Sequence, residues 1–161
     1  MGEKTERLKR EIISSFPDLK ADSDFKISSP ETPNYNCIAW AYKSYDDRIM
    51  WPWGSETKTL DGFHYWPEGV ADSTDVSAFI HAFQLQGYEV CDQWEHEKDY
   101  VRIALYVIPN TPECTHASRE LRNGKWTSKL GPENDIEHGS PYSLEGVEYG
   151  KVFCIMKRLF S

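Results

Sequence analysis

The feature that most restricts how this chain folds is a series of strand-like segments in its second half. Within residues 100–108, apolar and other side chains alternate along the chain, as expected for a strand with one buried face. The runs 115–121 and 125–130 flank Asn123-Gly124, a dipeptide typical of tight β-hairpin turns. Residues 88–91 and 151–159 have similar compositions. The second half of the chain is therefore predicted to form an antiparallel meander.

The first half of the chain shows helical spacing instead. Residues 3–16 carry apolar side chains at helical intervals, and a second helix is predicted from Cys37 to about residue 45. A third helix follows Asp72 or Ser73 and ends at Gly87; its apolar positions are Val76, Phe79, Ile80 and Phe83. Residues 17–34 are predicted to be extended, and residues 132–149 a polar loop. Helices followed by a meander indicate one α+β domain over residues 1–161.

Charge and composition exclude several functions. The formal net charge of −8 argues against a nucleic-acid partner, since binding phosphates requires a basic surface. No apolar run approaches the roughly 20 residues of a membrane span, and the polar N-terminus does not resemble a Sec-type signal. We therefore expect a cytoplasmic protein without a membrane partner, leaving open export by a specialised route and the oligomeric state. Without that signal the four cysteines are expected to be reduced, with Cys91 and Cys154 as core thiols.

Cys37 is the strongest candidate for a catalytic residue in this sequence. With Asn34 or Asn36 as N-cap, it lies in the first turn of a helix, where unpaired N–H groups and the helix dipole favour an anion. This placement predicts a thiol with a lowered pKa. A cysteine hydrolase also needs a base, and His116, near the start of a predicted strand, is the candidate. Cys37 and His116 are thus predicted to face each other across a cleft.

Each of these residues also has a simpler interpretation. A cysteine followed by Ile38 and Ala39 is often a small buried apolar residue, and a histidine that begins a strand is often half exposed. Cys114 and His116 lie two apart, which predicts a shared strand face and raises the possibility of a metal pair. The chain lacks the close Cys and His spacing of zinc sites, so neither a metal nor a cofactor is predicted.

Four sequence blocks carry a family resemblance. YNCIAWA, THASREL, NGKWTSKLG and DIEH, spread over residues 35–150, resemble a family of small uncharacterised bacterial proteins. More distantly, the cysteine at a helix start and the later strand histidine resemble the NlpC/P60 and CHAP branches of the papain-like hydrolases. That resemblance implies a papain-like α+β fold with a central Cys-bearing helix on an antiparallel sheet, a Cys37–His116 pair and cleavage of amide bonds. The chain departs from it at Asn36, where Asp is usual, and at Ile38-Ala39, where Ser-Gly is usual.

The same resemblance implies a third polar residue that orients the histidine from the following strand. Ser128 or Thr127 occupies that strand here, and Asp135, or as second choice His138, can reach in from the next loop. The charged residues Lys129 and Glu120 are predicted to lie on solvated faces.

An aromatic-rich stretch at residues 50–67 completes the predicted site. Aromatic residues make up 14% of the chain, and this stretch concentrates them in a polar, loop-like region. Substrate contacts are predicted for Tyr35, Asn36, Trp51, Trp53 and Trp66, with core packing as the alternative for the aromatic members. The predicted function is a cysteine peptidase, amidase or deamidase acting on a peptide, isopeptide or glutamine-type amide. The alternative is an inactive α+β module that uses residues 50–67 to bind a protein or a small molecule.

Overall fold

The computed structural model describes residues 2–29, 37–42, 49–50, 64–130 and 134–159. The elements of the first half are α1 (Gly2–Ser15), a 3₁₀ helix (Pro17–Ala21), β1 (Lys26–Ser29), α2 (Cys37–Tyr42), β2 (Ile49–Met50), β3 (His64–Tyr65) and α3 (Val76–Gln84). Those of the second half are β4 (Glu89–Cys91), β5 (Tyr100–Val107), β6 (Cys114–Glu120), β7 (Trp126–Lys129), β8 (Asp135–His138), a 3₁₀ helix (Pro141–Leu144) and β9 (Lys151–Leu159).

The described residues form a seven-stranded antiparallel sheet in the order β1-β8-β7-β6-β5-β9-β4. Strands β5, β6 and β7 are neighbours in both sequence and space, which confirms this part of the predicted meander, whereas β9 returns to lie between β5 and β4. The predicted hairpin joins β6 to β7, and Gly124 in its turn has the positive φ of 88° that favours glycine. β2 and β3 form a separate parallel pair.

Both faces of the sheet are covered by other elements, and alternate side chains of β5 pack on each of them. Val101, Ile103 and Leu105 of β5 pack in one cluster with residues of α2 and α3, a surface that we call the α2 face. Ala104 and Tyr106, which alternate with them, pack on the opposite surface with α1 and the two 3₁₀ helices; we call this the α1 face. Because both faces are covered, β5 is buried along almost its entire length.

Several predicted boundaries need correction. The N-cap of α3 is Asp75, whose carboxylate accepts a hydrogen bond from the Ser77 amide, and not Asp72 or Ser73. Residues 135–138, predicted as loop, form strand β8 between β1 and β7. The polar composition of this segment concealed the alternation of Ile136 and His138, which point to the α1 face. The described part of α2 ends at Tyr42, and residues 43–45 lie outside the described residues.

The α+β class is confirmed, with a fold dominated by its sheet more than the predicted succession of helices suggested. In the described part of the chain, no helix has the length and apolar character needed to cross a membrane.

Gly150 allows two backbone segments to approach closely. Its φ is +79°, and a Cβ atom there would lie 2.0 Å from the carbonyl oxygen of Val107. We expect Gly150→Ala to lower the free energy of unfolding by at least about 2 kcal/mol, measured by urea denaturation. Gly69→Ala is the matched control: φ is +87° and no described atom lies within 4 Å, so only backbone strain of about 1 kcal/mol is expected. Equal losses in the two variants would contradict the prediction.

Candidate functional site

His116 and Ser128 lie side by side in the interior of the sheet. His116 is on β6 and Ser128 on β7, both side chains are fully buried, and His116 Nε2 lies 3.1 Å from Ser128 Oγ. Ser128 is one of the residues predicted from the sequence to orient His116, and the structure brings these two together. Thr127, the alternative, lies next along β7 and therefore on the other face, and its hydroxyl donates to the carbonyl of Ile136.

The hydrogen bonds continue from Ser128 to the neighbouring strand. Ser128 Oγ lies 2.9 Å from Nε2 of His138, and Nδ1 of His138 lies 2.8 Å from the carbonyl oxygen of Ser140. His116, Ser128, His138 and the Ser140 carbonyl form a connected series that we call the polar network. His138, the second choice predicted from the sequence, thus reaches His116 through Ser128. Asp135, the first choice, lies three positions from His138 along β8. Its side chain therefore points to the opposite face and does not join the network.

Aromatic rings surround His116. The Tyr149 ring stacks on the imidazole with centroids 3.9 Å apart and planes 4° apart, and the Tyr106 ring lies 5.1 Å away. Burial therefore lowers the pKa of His116 well below its usual range, and proximity to His138 lowers it further. Burial also lowers the pKa of His138 to about 4, although the Ser140 carbonyl and the charge of Asp22 act in the other direction. Both imidazoles are neutral near neutral pH.

The second ring nitrogen of His116 is chemically available. Nδ1 is buried and has no hydrogen-bond partner among the described residues. Native proteins pair most buried polar atoms, because an unpaired one costs about 1–3 kcal/mol. An unpaired nitrogen on a histidine whose other nitrogen is held in place is therefore a candidate proton acceptor.

Cys37 begins α2, as predicted, but the predicted direction of its pKa is wrong. The thiol interacts with the backbone N–H groups of Ala117, Ile38 and Cys37 itself, and the charge of Lys129 also favours the thiolate. Burial outweighs these effects and raises the pKa to about 11, because only 6% of the residue is exposed. The thiol is therefore protonated near neutral pH.

The thiol and the imidazole lie on opposite faces of the sheet: Cys37 packs on the α2 face and His116 contacts Tyr106 on the α1 face. The backbone ladder between β6 and β7 has two register pairs among the described residues, Arg119↔Thr127 and Glu120↔Trp126. Beyond them the strands are joined by the His116–Ser128 side-chain contact, and the Ala117 N–H beside His116 interacts with the Cys37 thiol. No hydrogen bond joins Cys37 to His116 in the described part of the chain, so their pairing stays a prediction.

Two charged residues predicted on solvated faces are buried instead. Lys129 is fully buried on the α2 face, opposite Asp135 in the β7–β8 register, and its charge acts on Cys37. Glu120 is 2% exposed, and its Oε2 lies 3.3 Å from Nδ1 of His96. Strand alternation predicts which side chains share a face, but not whether another layer of the fold covers that face.

Cys114 and His116 do not share a strand face, contrary to prediction. The β5–β6 register shifts between Tyr106↔His116 and Val107↔Cys114, which leaves Thr115 as an extra residue. Cys114 consequently packs on the α2 face and His116 contacts Tyr106 on the α1 face. Among the described residues no group of three His, Cys, Asp or Glu side chains is arranged to hold a metal ion, and all four cysteines are free thiols.

Trp66 is placed in the core. It is 6% exposed, its ring packs edge-on against Phe79 of α3, and its indole N–H donates to the carbonyl of Ala71. These contacts support the packing interpretation of this residue over a substrate contact. The other predicted substrate contacts, Tyr35, Asn36, Trp51 and Trp53, lie outside the described residues, as does most of the stretch 50–67.

The two neutral histidines should make the protein sensitive to mild acid. A histidine whose pKa is lowered by folding takes up a proton on unfolding, so its contribution to stability is lost as pH falls from about 6.5 to about 4. For His138 alone we expect a loss of roughly 2 kcal/mol in unfolding free energy between about pH 7 and pH 5. Urea titrations at several pH values give the unfolding free energy of the parent and of His138→Gln. The difference between their pH dependences is the contribution of His138.

The matched control for this prediction is His81→Gln, which replaces an exposed histidine on α3. It should keep the parent's pH dependence. If His138→Gln keeps it as well, His138 is not held neutral by the fold.

The comparisons with known proteins give a family and no function. Residues 26–157 match the family described as Domain of unknown function (DUF7689). Neither the curated proteins nor the solved structures gave a match. The matched segment covers most of the chain and includes Cys37 and the whole polar network, so the protein belongs to this family of domains of unknown function.

Proposed function

We propose that this protein is a thiol-dependent hydrolase of amide bonds in which Cys37 is the nucleophile and His116 the base. One observation carries the proposal: the buried His116 has one ring nitrogen held by Ser128 and the other without a partner among the described residues, and the Cys37 thiol contacts the N–H of the next residue along β6, Ala117. A nucleophile, a base and a residue that orients the base are the minimum set for covalent acyl transfer.

The reaction proceeds through an acyl-enzyme. As Cys37 Sγ attacks the carbonyl carbon of the substrate, the thiol proton passes to Nδ1 of His116. The N–H groups of Cys37, Ile38 and Ala117 already favour negative charge at this place and can donate to the developing oxyanion. His116 then protonates the leaving amine. Water, deprotonated by the same nitrogen, cleaves the thioester and regenerates the thiol.

The resting state of this site holds a neutral thiol and a neutral imidazole. The pKa of Cys37 is raised to about 11 and that of His116 is lowered, so transfer of the proton before attack is unfavourable. Proton transfer therefore accompanies formation of the S–C bond, with His116 acting as a general base. Because both groups are buried, a substrate must displace covering side chains to reach them.

The order of elements supports a papain-like mechanism. The cysteine begins a helix that packs on β6 and β7, and these strands supply the histidine and its orienting partner. The proposal assigns to this order of elements the roles that the resemblance to NlpC/P60 and CHAP hydrolases implies, with Ser128 in the place of their usual third residue. Peptides, isopeptides and glutamine-type amides are the proposed substrates. A basic nucleic acid-binding surface is not expected at a net charge of −8.

Alkylation by iodoacetamide tests the pairing of Cys37 with His116 without knowledge of the substrate. We expect His116→Gln to slow alkylation of Cys37 near neutral pH by about 100-fold, the lower part of the usual general-base contribution. Peptide mass mapping gives the rate at each cysteine. Cys37→Ser should remove the corresponding modified peptide.

The other cysteines serve as controls within each sample. The half-buried Cys91 should react at the same rate in the parent and in His116→Gln, and labelling of the buried Cys114 reports unfolding. If Cys37 reacts equally fast in both proteins while Cys114 stays unlabelled, the hydrolase proposal fails. The inactive binding module would then be the better description of the chain.

A further inference from the structure

The direction in which the hydrogen bonds of the polar network are donated follows from its last member, the Ser140 carbonyl. The carbonyl oxygen of Ser140 can only accept a hydrogen bond, so Nδ1 of His138, 2.8 Å away, must carry a proton. His138 is neutral at neutral pH, because burial lowers its pKa to about 4. A neutral imidazole has one N–H, so Nε2 of His138 is an acceptor.

The same reasoning passes through Ser128 to His116. Ser128 has one hydroxyl proton, and the accepting Nε2 of His138 lies 2.9 Å from its oxygen. The hydroxyl therefore donates to His138 and accepts from its other neighbour, Nε2 of His116, at 3.1 Å. His116 is also neutral, so its proton lies on Nε2 and its lone pair on Nδ1.

We propose that His138 is a positioning residue that fixes the tautomer of His116 and thereby leaves Nδ1 free to accept a proton. This inference rests on the proposed function for its catalytic meaning, but its physical content is the location of one proton. His138 acts through Ser128 and needs no contact with the substrate. The opposite direction would place an unprotonated Nδ1 of His138 against the Ser140 carbonyl oxygen, which sets two acceptors against each other in a dry interior and is unfavourable.

The turn that supplies the terminal carbonyl is itself held in place. The carboxylate of Asp22 accepts hydrogen bonds from the Gly139 amide at 2.7 Å and from the Ser143 hydroxyl at 2.5 Å. These bonds flank Ser140 on both sides, and Ser140 Oγ accepts from the Tyr142 amide at 3.2 Å. The Ser140 carbonyl therefore has a fixed position relative to His138, which keeps the direction of the network constant.

The test is the ¹⁵N chemical shift of each ring nitrogen of His116, measured near neutral pH in the intact protein labelled with [¹⁵N]histidine. Loss of signals in His116→Gln assigns them. We expect an unprotonated shift for Nδ1 and a protonated shift for Nε2. A protonated Nδ1 in the parent protein would overturn the inference without any further variant.

Two substitutions at His138 test whether this residue determines the tautomer of His116. In His138→Phe, Ser128 loses its acceptor and can turn its hydroxyl proton toward Nε2 of His116, so the two ¹⁵N shifts should exchange. His138→Gln should restore the parent pattern, because its amide can donate to Ser140 and accept from Ser128. Glu137→Gln, on the other face of β8, is the matched control and should change neither shift. Unchanged shifts in His138→Phe would overturn the inference.

The rate of Cys37 alkylation separates this inference from the proposed function. If both hold, His138→Phe exchanges the shifts and slows Cys37 by about 100-fold, as expected when the general base is lost. Exchanged shifts with an unchanged Cys37 rate would support the positioning of His116 and count against the hydrolase. A slowed Cys37 with unchanged shifts would support the hydrolase and reject the role given to His138.

Discussion

The structure depends on the pairing of buried polar groups across β6, β7 and β8. The His116, Ser128 and His138 side chains are fully buried, and each would cost about 1–3 kcal/mol if it lost its partner. Where the backbone ladder between β6 and β7 stops, the contact from His116 to Ser128 continues the connection between the strands. Side chains thus join β6 and β7 beyond their last register pair, and the arrangement of these side chains also has chemical consequences.

Burial has opposite consequences for the two groups of the candidate site. It keeps His116 neutral and so preserves a lone pair that can accept a proton, but it also raises the pKa of Cys37 and keeps the thiol protonated. The N–H groups at the start of α2 and the charge of Lys129 lower the pKa of Cys37, but by less than burial raises it. A site of this kind favours a mechanism in which the base removes the thiol proton during attack, and disfavours a mechanism in which the thiolate forms beforehand.

The sequence predicted those parts of the fold that local patterns determine. Period-two alternation identified β5 and the succession of β5, β6 and β7, Asn123-Gly124 identified the hairpin, and Ser128 is one of the four residues predicted to orient His116. The failures share a physical cause, which is that burial depends on contacts between distant segments. The pKa of Cys37, the burial of Lys129 and the polar strand β8 each depend on a second layer or a neighbouring strand that no local pattern reveals.

The extra residue in β6 shows how a local irregularity affects the candidate site. Thr115 lies between Cys114 and His116 at the register shift, and its hydroxyl donates to the Tyr149 carbonyl at 2.5 Å. That bond holds the segment whose ring stacks on His116 and excludes water from one face of the imidazole. Because exclusion of water keeps His116 neutral, the position of the bulge contributes to the proton arrangement on which the proposed chemistry depends.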